Sequence, residues 1–388
     1  MKVLFITHTS GLSGSSVALF NLIKELKELK DINCLYVVFP KKGIFATRLE
    51  ELGINCIFLN NYYLTIYPPS KTYRQKVTYI YQLARMLYKN LNAEMMLCKT
   101  VRQIQPDIIH SNVGPLDIGY NVAKKLGISH VWHLREYQDL DFNLHFFPSK
   151  LRFNKMQQSS FSHSIAITKG VFDYWHLNNT KDVVIYDGVI PSEEHNYIAA
   201  KENYFLFVGR IEEAKGIKNL LNAFAKFCNT HSTYSLYIAG TGVDSYINEC
   251  RELVKELRIV DRVKFLGYIN GIGKYMEKAL ALIVASRFEG FGFITAEAMY
   301  NHCLVIGKNT AGTKEQFDVG LNELGKEIGF RFEFEYELLA VLETVIALPE
   351  DKYKDISSRA YSIVRMKYAL EKHATEVREL YVKILQNI

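Results

Sequence analysis

The sequence predicts an α/β protein made of two doubly wound, Rossmann-like domains. Short continuous runs of Val, Ile, Leu and Phe alternate with longer segments of helical period, which is typical of a parallel sheet covered by helices on both faces. The alternation stops at a polar stretch near residues 187–202 and then starts again. A chain of 388 residues is long enough for two such domains.

The first half begins with a strand over residues 2–7 and a helix over residues 15–30, whose apolar residues recur every three or four positions. The further strands predicted in this half are 34–39, 56–59, 107–110, 130–133, 165–168 and 183–186. We expect residues 1–190 to form the N-terminal domain.

The second half repeats the pattern. The strands predicted in this half are 204–208, 235–239, 263–266, 281–284 and 304–306. We expect residues 203–370 to form the C-terminal domain and residues 371–388 to form a helix that packs back toward the N-terminal domain. Ligands of doubly wound sheets bind outside the carboxyl ends of the strands, so we expect the site in the cleft between the two domains.

Composition excludes several classes of protein. Hydrophobic residues make up 48% and charged residues 23%, which excludes a disordered chain, and no apolar run approaches the length of a transmembrane helix. The six cysteines form no C-x-x-C pair and fit a reducing cytosol. Residues 1–190 carry 22 Lys and Arg against 14 Asp and Glu, whereas the remainder carries 25 against 27. An acidic partner is therefore expected to meet the first half.

The strongest chemical signal follows the predicted strand 281–284. Gly290 and Gly292 allow a ligand to approach the backbone closely, and the helix that begins near Phe293 directs its free N–H groups toward that ligand, as at a phosphate site. Glu289 and Glu297 are suited to accept hydrogen bonds from sugar hydroxyls. The structural alternative is that Glu289 is a surface carboxylate and Glu297 only complements the helix dipole.

A second signal follows the strand 204–208. Arg210 lies at the end of that strand, and Lys215 follows five residues later, before the next helix. Two cations in these places can clamp a diphosphate and stabilise a leaving nucleoside diphosphate. The alternative is that both are exposed and pair with Glu212 or Glu213.

These motifs occur together with three others, at 236–242, 263–268 and 311–315, and the ordered set resembles the retaining glycosyltransferases of family 4. The resemblance implies the GT-B fold, in which two Rossmann-like domains face an interdomain cleft, and a reaction without metal or other cofactor. It also implies that Arg210 and Lys215 hold the donor diphosphate, that Glu289 contacts the donor sugar and that Glu297 binds the ribose. The donor-binding residues expected on this basis are Gly14, Ser15, Arg210, Lys215, Glu289, Gly290, Phe291, Gly292, Phe293 and Glu297.

The first half contributes a glycine-containing loop, 11–16, which resembles the family's loop near the donor phosphates, although Ser15 stands where the family often has a second glycine. His8, His110 and His133 fall at the ends of predicted strands. The resemblance assigns the histidine close to the reacting sugar to His133, so the expected catalytic residues are His133, Glu289, Arg210 and Lys215. A zinc site formed by the three histidines is an alternative, but their spacing has no ligand signature.

Two segments of the first half admit more than one interpretation. Asp139-Leu140-Asp141 looks like the D-x-D of metal-dependent transferases, but the surrounding pattern predicts an ordinary loop and no metal.

Residues 62–105 are rich in Tyr and in Lys and Arg and contain one acid, Glu94. This stretch is either a peripheral contact with an anionic membrane or a surface helix whose tyrosines pack on the sheet. No RRM, KH or helix-turn-helix pattern supports nucleic-acid binding.

The sequence therefore predicts a retaining, metal-independent hexosyltransferase. The expected donor is a nucleotide-diphospho-sugar, by default a UDP-sugar, and the expected acceptor is a hydroxyl of a glycan or of a lipid-linked intermediate in bacterial surface polysaccharide synthesis. We expect the protein in the cytoplasm or peripherally on the inner face of the cell membrane. The alternatives are a nucleotide-sugar epimerase of the same fold, for which no matching acid and base residues are found, and a non-catalytic GT-B partner that binds a glycan or a transferase.

Overall fold

The computed structural model describes residues 1–70, 72–191, 193–195 and 199–386. The chain divides into two compact units. The first unit comprises Met1–Gly188 and Leu370–Ile388, and the second unit comprises Val189–Ala369. Lys71 of the tyrosine-rich stretch, Ser192 and residues 196–198 of the polar stretch, and residues 387–388 of the last predicted helix lie outside the described residues.

The first unit contains a parallel sheet of seven strands and a separate antiparallel pair. In chain order the strands are β1 (Lys2–Thr7), β2 (Cys34–Phe39), β3 (Asn55–Phe58), β4 (Ile66–Tyr67), β5 (Ile108–Asn112), β6 (Ser129–Leu134), β7 (His145–Phe146), β8 (Ser162–Ala166) and β9 (Val183–Val184). The sheet order is β3-β2-β1-β5-β6-β8-β9, and β4 pairs with β7. The strand order reverses between β1 and β5.

Eight helices belong to this unit in the described part of the chain. They are α1 (Gly14–Lys27), α2 (Ile44–Glu51), α3 (Tyr73–Ile104), α4 (Asp117–Leu126), α5 (Asp139–Phe142), α6 (Lys150–Gln157), α7 (Lys169–Tyr174) and α15 (Leu370–Gln386). The buried apolar residues of α1 and α15 join those of the central strands in one core, because both helices present one apolar face at helical spacing. The hydroxyl of Tyr381 on α15 lies 2.6 Å from His110 Nδ1 on β5.

The second unit is a six-stranded parallel sheet with helices between its strands. Its strands are β10 (Tyr204–Val208), β11 (Ser235–Ala239), β12 (Val263–Gly267), β13 (Ala281–Val284), β14 (Leu304–Lys308) and β15 (Phe330–Phe332). Its helices are α8 (Ile217–Cys228), α9 (Asp244–Glu256), α10 (Gly273–Lys278), α11 (Phe293–Tyr300), α12 (Ala311–Leu324), α13 (Leu338–Ile346) and α14 (Glu350–Lys367). The sheet order β12-β11-β10-β13-β14-β15 is that of a Rossmann fold and reverses between β10 and β13.

Most predicted strands lie where the apolar runs place them, and β8 shows where the apolar signal fails. The sequence predicts this strand at 165–168, but it begins at Ser162. Ser162 and Ser164 are fully buried, and Ser162 Oγ lies 3.2 Å from Nδ1 of His130 on the neighbouring strand. A buried strand with hydrogen-bonded polar residues lacks the apolar run from which the prediction was made.

Candidate functional site

The carboxyl ends of β10 and β13 lie side by side where the strand order of the second unit reverses, which is where doubly wound sheets bind ligands. The loop after β10 carries Arg210 and Lys215, and the loop after β13 carries Glu289. Gly216, in the loop after β10, lies where the two loops touch. It has φ +68°, and a Cβ added there would lie 2.3 Å from the carbonyl oxygen of Ala285. Only glycine tolerates both the conformation and the close contact.

This packing brings Lys215 and Glu289 together. Lys215 Nζ donates to Glu289 Oε1 at 2.6 Å, and each side chain is about one-fifth exposed. The sequence predicts a cationic clamp at this place, with exposure and pairing to Glu212 or Glu213 as the alternative. Lys215 instead forms a mostly buried ion pair with Glu289, the carboxylate expected to contact the donor sugar. A ligand that carries both a phosphate and hydroxyl groups can interact with both members of such a pair.

Arg210 is placed differently. Its side chain is 66% exposed, and its Nη2 donates to Glu212 Oε1 at 3.1 Å. The structural alternative considered for this residue, a pair with Glu212, is thus the contact observed. An ion pair this exposed contributes little to stability, so the guanidinium can exchange Glu212 for another anion at little cost.

The N-terminus of α11 has the features of an anion site. Its N-cap is Gly292, which has φ +90° and no side chain to accept a hydrogen bond from the first turn. Gln316 Nε2 donates to the carbonyls of Phe291 and Gly292 at 2.8 and 3.0 Å and so holds the loop. The N–H groups of Phe293 and Ile294 are available to an anion, whereas that of Thr295 donates to the carbonyl of Gly292 at 3.0 Å. The helix dipole favours negative charge at this end.

The aromatic residues of this loop have a packing role. The ring of Phe291 is buried and lies edge-on to Tyr368 and to Phe293, with centroid distances of 5.1 and 5.5 Å. Phe291 can therefore contribute only its backbone to a ligand. The hydroxyls of Thr295 and Thr313 are buried close to Gly292 and have no hydrogen-bond partner among the described residues. Sequence reasoning did not single out these two threonines.

Glu297 lies on α11, on the same face as Phe293 and one turn further along. Burial raises the pKa of its carboxyl to about 7. No hydrogen bond or ion pair to this carboxylate is found within residues 1–70, 72–191, 193–195 and 199–386. A half-buried, unpaired carboxylate is costly unless a ligand supplies the missing donors, and a ribose has two such hydroxyls.

His133 lies inside the first unit. Its side chain on β6 is fully buried, with Nδ1 3.2 Å from His110 Nε2 and 3.3 Å from Arg135 Nη2, and its ring packs against His373. Burial and the nearby charge of Arg135 hold its pKa well below the usual value. His133 is therefore a neutral group surrounded by protein. The expected role of His133 in catalysis stays a prediction. Because the side chain is buried, a role in positioning other groups is favoured over direct contact with the reacting sugar.

Glu136 lies two residues beyond the end of β6 and was not singled out from the sequence. Burial, followed by the nearby Asp141, raises the pKa of Glu136 to about 7. Gln138 Nε2 donates to Glu136 Oε2 at 2.7 Å and to the carbonyl of Gly114 at 2.8 Å, and Gln138 has φ +73°. A non-glycine residue in this conformation is unusual and is found disproportionately at functional sites. Nothing in the sequence indicates that conformation.

The loop after β1 leads into α1, which begins at Gly14. Ser13 caps this helix, and Ser16 Oγ accepts a hydrogen bond from the backbone N–H of Ser13 at 2.6 Å. Gly14 is exposed, and a Cβ added there would meet nothing within 4 Å. Ser15 is buried, with its hydroxyl 3.1 Å from that of Ser13. A ligand can therefore approach the backbone of this loop at Gly14, whereas the Ser15 side chain is turned into the protein.

Comparison with known proteins assigns the second unit to a family. Residues 192–361 match the family described as "Glycosyl transferases group 1". The chain carries a group 1 glycosyl transferase domain. A curated relative from Campylobacter jejuni, N-acetylgalactosamine-N,N'-diacetylbacillosaminyl-diphospho-undecaprenol 4-alpha-N-acetylgalactosaminyltransferase, is 34% identical over 129 residues, which is 33% of each chain. The O-antigen biosynthesis glycosyltransferase WclY of Escherichia coli is 20% identical over the whole of both chains.

Among solved structures, Anabaena HepE in complex with UDP has a TM-score of 0.79 at 19% identity. The match covers 99% of this chain and 100% of the HepE chain. This likeness confirms the predicted fold class, α/β with two Rossmann-like domains of the GT-B type. The matched segments span only 33 to 48% of the lengths of three of the curated relatives.

The first unit contains a buried group of potential metal ligands. His133, Asp187 and His373 each offer one ligand atom, and these atoms lie within 4.8 Å of one another. His8 is not part of this group. Arg135 Nη1 donates to Asp187 Oδ1, so a positive charge already lies against the carboxylate, which opposes a cation at the same place. The expectation that the reaction needs no metal stays a prediction.

The Asp139-Leu140-Asp141 segment forms the short helix α5 and has structural contacts. Asp139 accepts hydrogen bonds from Lys150 and from the hydroxyl of Tyr174, and Asp141 accepts one from the backbone of Tyr137 at 2.9 Å. The predicted loop is a single helical turn, and both carboxylates stabilise local structure.

The tyrosine-rich stretch folds into β4 and the 32-residue helix α3. Only part of the helix packs on the unit. One exposed stripe runs along it at helical spacing and consists of Tyr73, Val77, Ile80, Tyr81, Leu87, Tyr88, Leu91 and Met95, hereafter the α3 stripe. No helix in the described part of the chain is long and apolar enough to cross a membrane. Tyr62 packs inward, whereas the α3 tyrosines 73, 81 and 88 point to solvent.

Proposed function

We propose that the protein is a retaining glycosyltransferase that moves a hexose from a nucleotide-diphospho-sugar to a hydroxyl acceptor. In this proposal the C-terminal domain, residues 203–370, binds the donor, and the N-terminal domain, residues 1–190, binds the acceptor. The proposal rests on the groups that lie where the strand order of the second unit reverses, because each of them suits one part of a nucleotide-sugar. An uncapped helix N-terminus suits a diphosphate, the unpaired Glu297 suits a ribose, and the Lys215–Glu289 pair suits the junction of phosphate and sugar.

In the proposed reaction the acceptor oxygen bonds to the anomeric carbon while the bond from that carbon to the diphosphate breaks. The departing diphosphate takes the acceptor proton, so that attack and departure occur on the same face and the configuration is retained. Lys215, Arg210 and the first turn of α11 stabilise the negative charge that develops on the diphosphate. Because these groups supply the positive charge, no metal is required. Exclusion of water protects the donor from hydrolysis.

A UDP-sugar is the proposed donor, and a glycan or lipid-linked intermediate is the proposed acceptor. Support for the donor comes from neighbours of the same fold that were solved with UDP and with UDP-glucose. Support for the acceptor comes from relatives named for undecaprenol-linked, O-antigen and lipopolysaccharide substrates. The exposed α3 stripe supports a place on the inner face of the cell membrane, with the exposed basic residues Lys76 and Lys99 of the same helix facing anionic lipid.

The test is isothermal titration of the purified protein with UDP, GDP and ADP, and with a matched sugar conjugate of each, in parallel with Glu297→Ala. We expect one nucleotide to bind selectively and the substitution to weaken that binding. Lys264→Ala, an exposed change on β12 of the same unit, is the matched control and should bind like the wild type. Absence of binding by a well-folded protein would favour the non-catalytic alternative.

A further inference from the structure

A cavity of about 480 Å³ lies in the first unit, between α3 and the segment 62–68 that precedes it. His8, one residue beyond the end of β1, lines it, and β1 is one of the two strands between which the sheet order reverses. Doubly wound sheets bind ligands at that place. The proposed donor residues Arg210, Lys215, Glu289 and Glu297 do not line this cavity.

Aromatic rings form much of its wall. Tyr62 is fixed, because its hydroxyl lies 2.6 and 2.9 Å from the carbonyl oxygens of Thr7 and Val38 and shares its one proton between them. Tyr67 and Tyr79 pack on each other with ring centroids 4.5 Å apart. Sugar rings present C–H groups on their faces and hydroxyls at their edges, so a rigid aromatic wall with a few polar groups suits them.

The polar groups of the cavity suit a hydroxyl. His8 has no hydrogen-bond partner at either ring nitrogen among the described residues, and Nδ1 is enclosed by protein whereas Nε2 is not. Burial lowers the pKa of His8 to about 4, so the ring is neutral at pH 7, with one donor and one acceptor nitrogen. A hydroxyl both donates and accepts and can therefore pair with Nε2 in either tautomer. Gln82 on α3 lines the same cavity and offers an amide.

The charge of the cavity is positive. Arg85 is exposed at its edge, with its guanidinium carbon 5.9 Å from the centroid of the Tyr63 ring, and the cavity lining contains no acidic residue. A single arginine beside an aromatic wall favours a ligand that joins a sugar to a phosphate. The α3 stripe lies on the same helix as Gln82 and Arg85.

We propose that this cavity binds the acceptor as a phosphate-bearing sugar, with a sugar hydroxyl at His8, the ring against Tyr67 and Tyr79, and the phosphate at Arg85. This inference rests on the proposed transferase function and specifies its acceptor site. The phosphate can belong to a free sugar phosphate or to a lipid-linked sugar, because both present the same group to Arg85.

The experiment is a binding titration with two probes, glucose 1-phosphate in solution and undecaprenyl-diphosphate-linked glucose in detergent micelles. The variants are Arg85→Ala, which removes the cation, and Leu83→Trp, which fills the cavity. Arg74→Ala removes a cation from the same helix outside the cavity and is the matched control. We expect Arg85→Ala and Leu83→Trp to weaken binding of at least one probe about tenfold or more, and Arg74→Ala to change it less than twofold. Thermal unfolding establishes that each variant is folded.

A preference for the lipid-linked probe would identify a lipid-linked acceptor, and equal binding would identify recognition of the sugar phosphate alone. The proposal is overturned if Arg85→Ala binds both probes like Arg74→Ala, or if neither probe binds to the wild type. UDP binding measured on the same preparations separates the two proposals. Retained UDP binding without probe binding rejects the acceptor cavity only, whereas probe binding without UDP binding rejects the donor site.

Discussion

Lys215 Nζ lies 2.6 Å from Glu289 Oε1, so the cation expected to hold the donor diphosphate is paired with the carboxylate expected to hold the donor sugar. The two residues are 74 positions apart in the sequence and meet because Gly216 allows the loops after β10 and β13 to touch. Their pairing keeps both charges in place at the carboxyl ends of the strands. It also means that substitution of either residue changes the electrostatics of the other.

Glu289→Gln should reduce turnover far more than nucleotide affinity. The amide keeps the shape of the side chain but no longer neutralises Lys215, which remains free to hold the diphosphate, whereas the sugar loses a charged hydrogen-bond acceptor. We expect kcat to fall about 10²- to 10³-fold and the Kd for UDP to change less than about threefold. Steady-state kinetics and titration calorimetry measure the two quantities. Unchanged turnover would show that Glu289 does not contact the reacting sugar.

Arg210→Ala should reduce both turnover and UDP affinity, because the proposed contact is with the diphosphate in the bound donor and in the departing product. The matched control is Glu212→Ala, which removes the carboxylate that Arg210 contacts at 3.1 Å. If the guanidinium serves the diphosphate, Glu212→Ala should keep or increase UDP affinity. Equal losses in both variants would instead mean that the Arg210–Glu212 pair has a structural role. A fully active Arg210→Ala would remove the residue from the site.

Much of the fold could be predicted because its signal is local. Continuous apolar strands such as 2–7 and 204–208 lie where their runs indicate, since a parallel strand buried on both faces needs no polar residue. The strand at Ser162 was predicted too late because the buried hydroxyl of Ser162 finds its hydrogen-bond partner, His130, only in the tertiary structure.

The candidate site was predictable in its motifs but not in its contacts. The nine residues from Glu289 to Glu297 predict a loop followed by a helix N-terminus. The Lys215–Glu289 pair depends instead on a contact between two loops, and the burial of His133 depends on side chains from β5 and α15. A histidine near the end of a strand has the same sequence pattern whether it points outward or into such a network, so sequence alone could not distinguish these positions.

Binding of UDP should weaken as the pH falls from 8 to 6. Burial raises the pKa of Glu297 to about 7, and only the ionised carboxylate accepts hydrogen bonds from both ribose hydroxyls. Protonation in this range therefore removes part of the proposed contact. Titration of the wild type and of Glu297→Gln across this range provides the measurement. The variant should bind more weakly at pH 8 and show a flatter pH profile, and an equally steep profile in the variant would assign the titration to another group.

The same pKa shift predicts a change in stability. The pKa of Glu297 is raised from 4.5 in the unfolded chain to about 7, so the folded state binds the proton more tightly and its stability decreases as the pH rises through this window. Glu297→Gln removes this cost and should increase the free energy of unfolding at pH 8 by as much as about 3 kcal/mol, but not at pH 4. Denaturant unfolding at the two pH values tests this. A variant that is less stable at both would indicate a structural contact of the carboxylate.

The α3 stripe should bind anionic membranes. Its residues, from Tyr73 to Met95, are exposed over about six helical turns, and the exposed Lys76 and Lys99 of the same helix carry the charge that complements anionic lipid. Leu87→Gln combined with Leu91→Gln changes two exposed positions and should reduce binding to phosphatidylglycerol vesicles about tenfold without a change in thermal stability. Vesicle co-sedimentation measures the effect.

The matched control for the α3 variant is Leu321→Gln combined with Leu324→Gln, which makes the same chemical change at two exposed positions of α12. We expect this variant to bind vesicles like the wild type. Phosphatidylcholine vesicles should bind the wild type weakly, and 0.5 M salt should weaken binding to the anionic vesicles, because the basic residues act through a screened surface interaction. If both double variants lose binding equally, or if neither does, the stripe is not the contact. The exposed apolar residues of α3 would then be a surface that faces solvent.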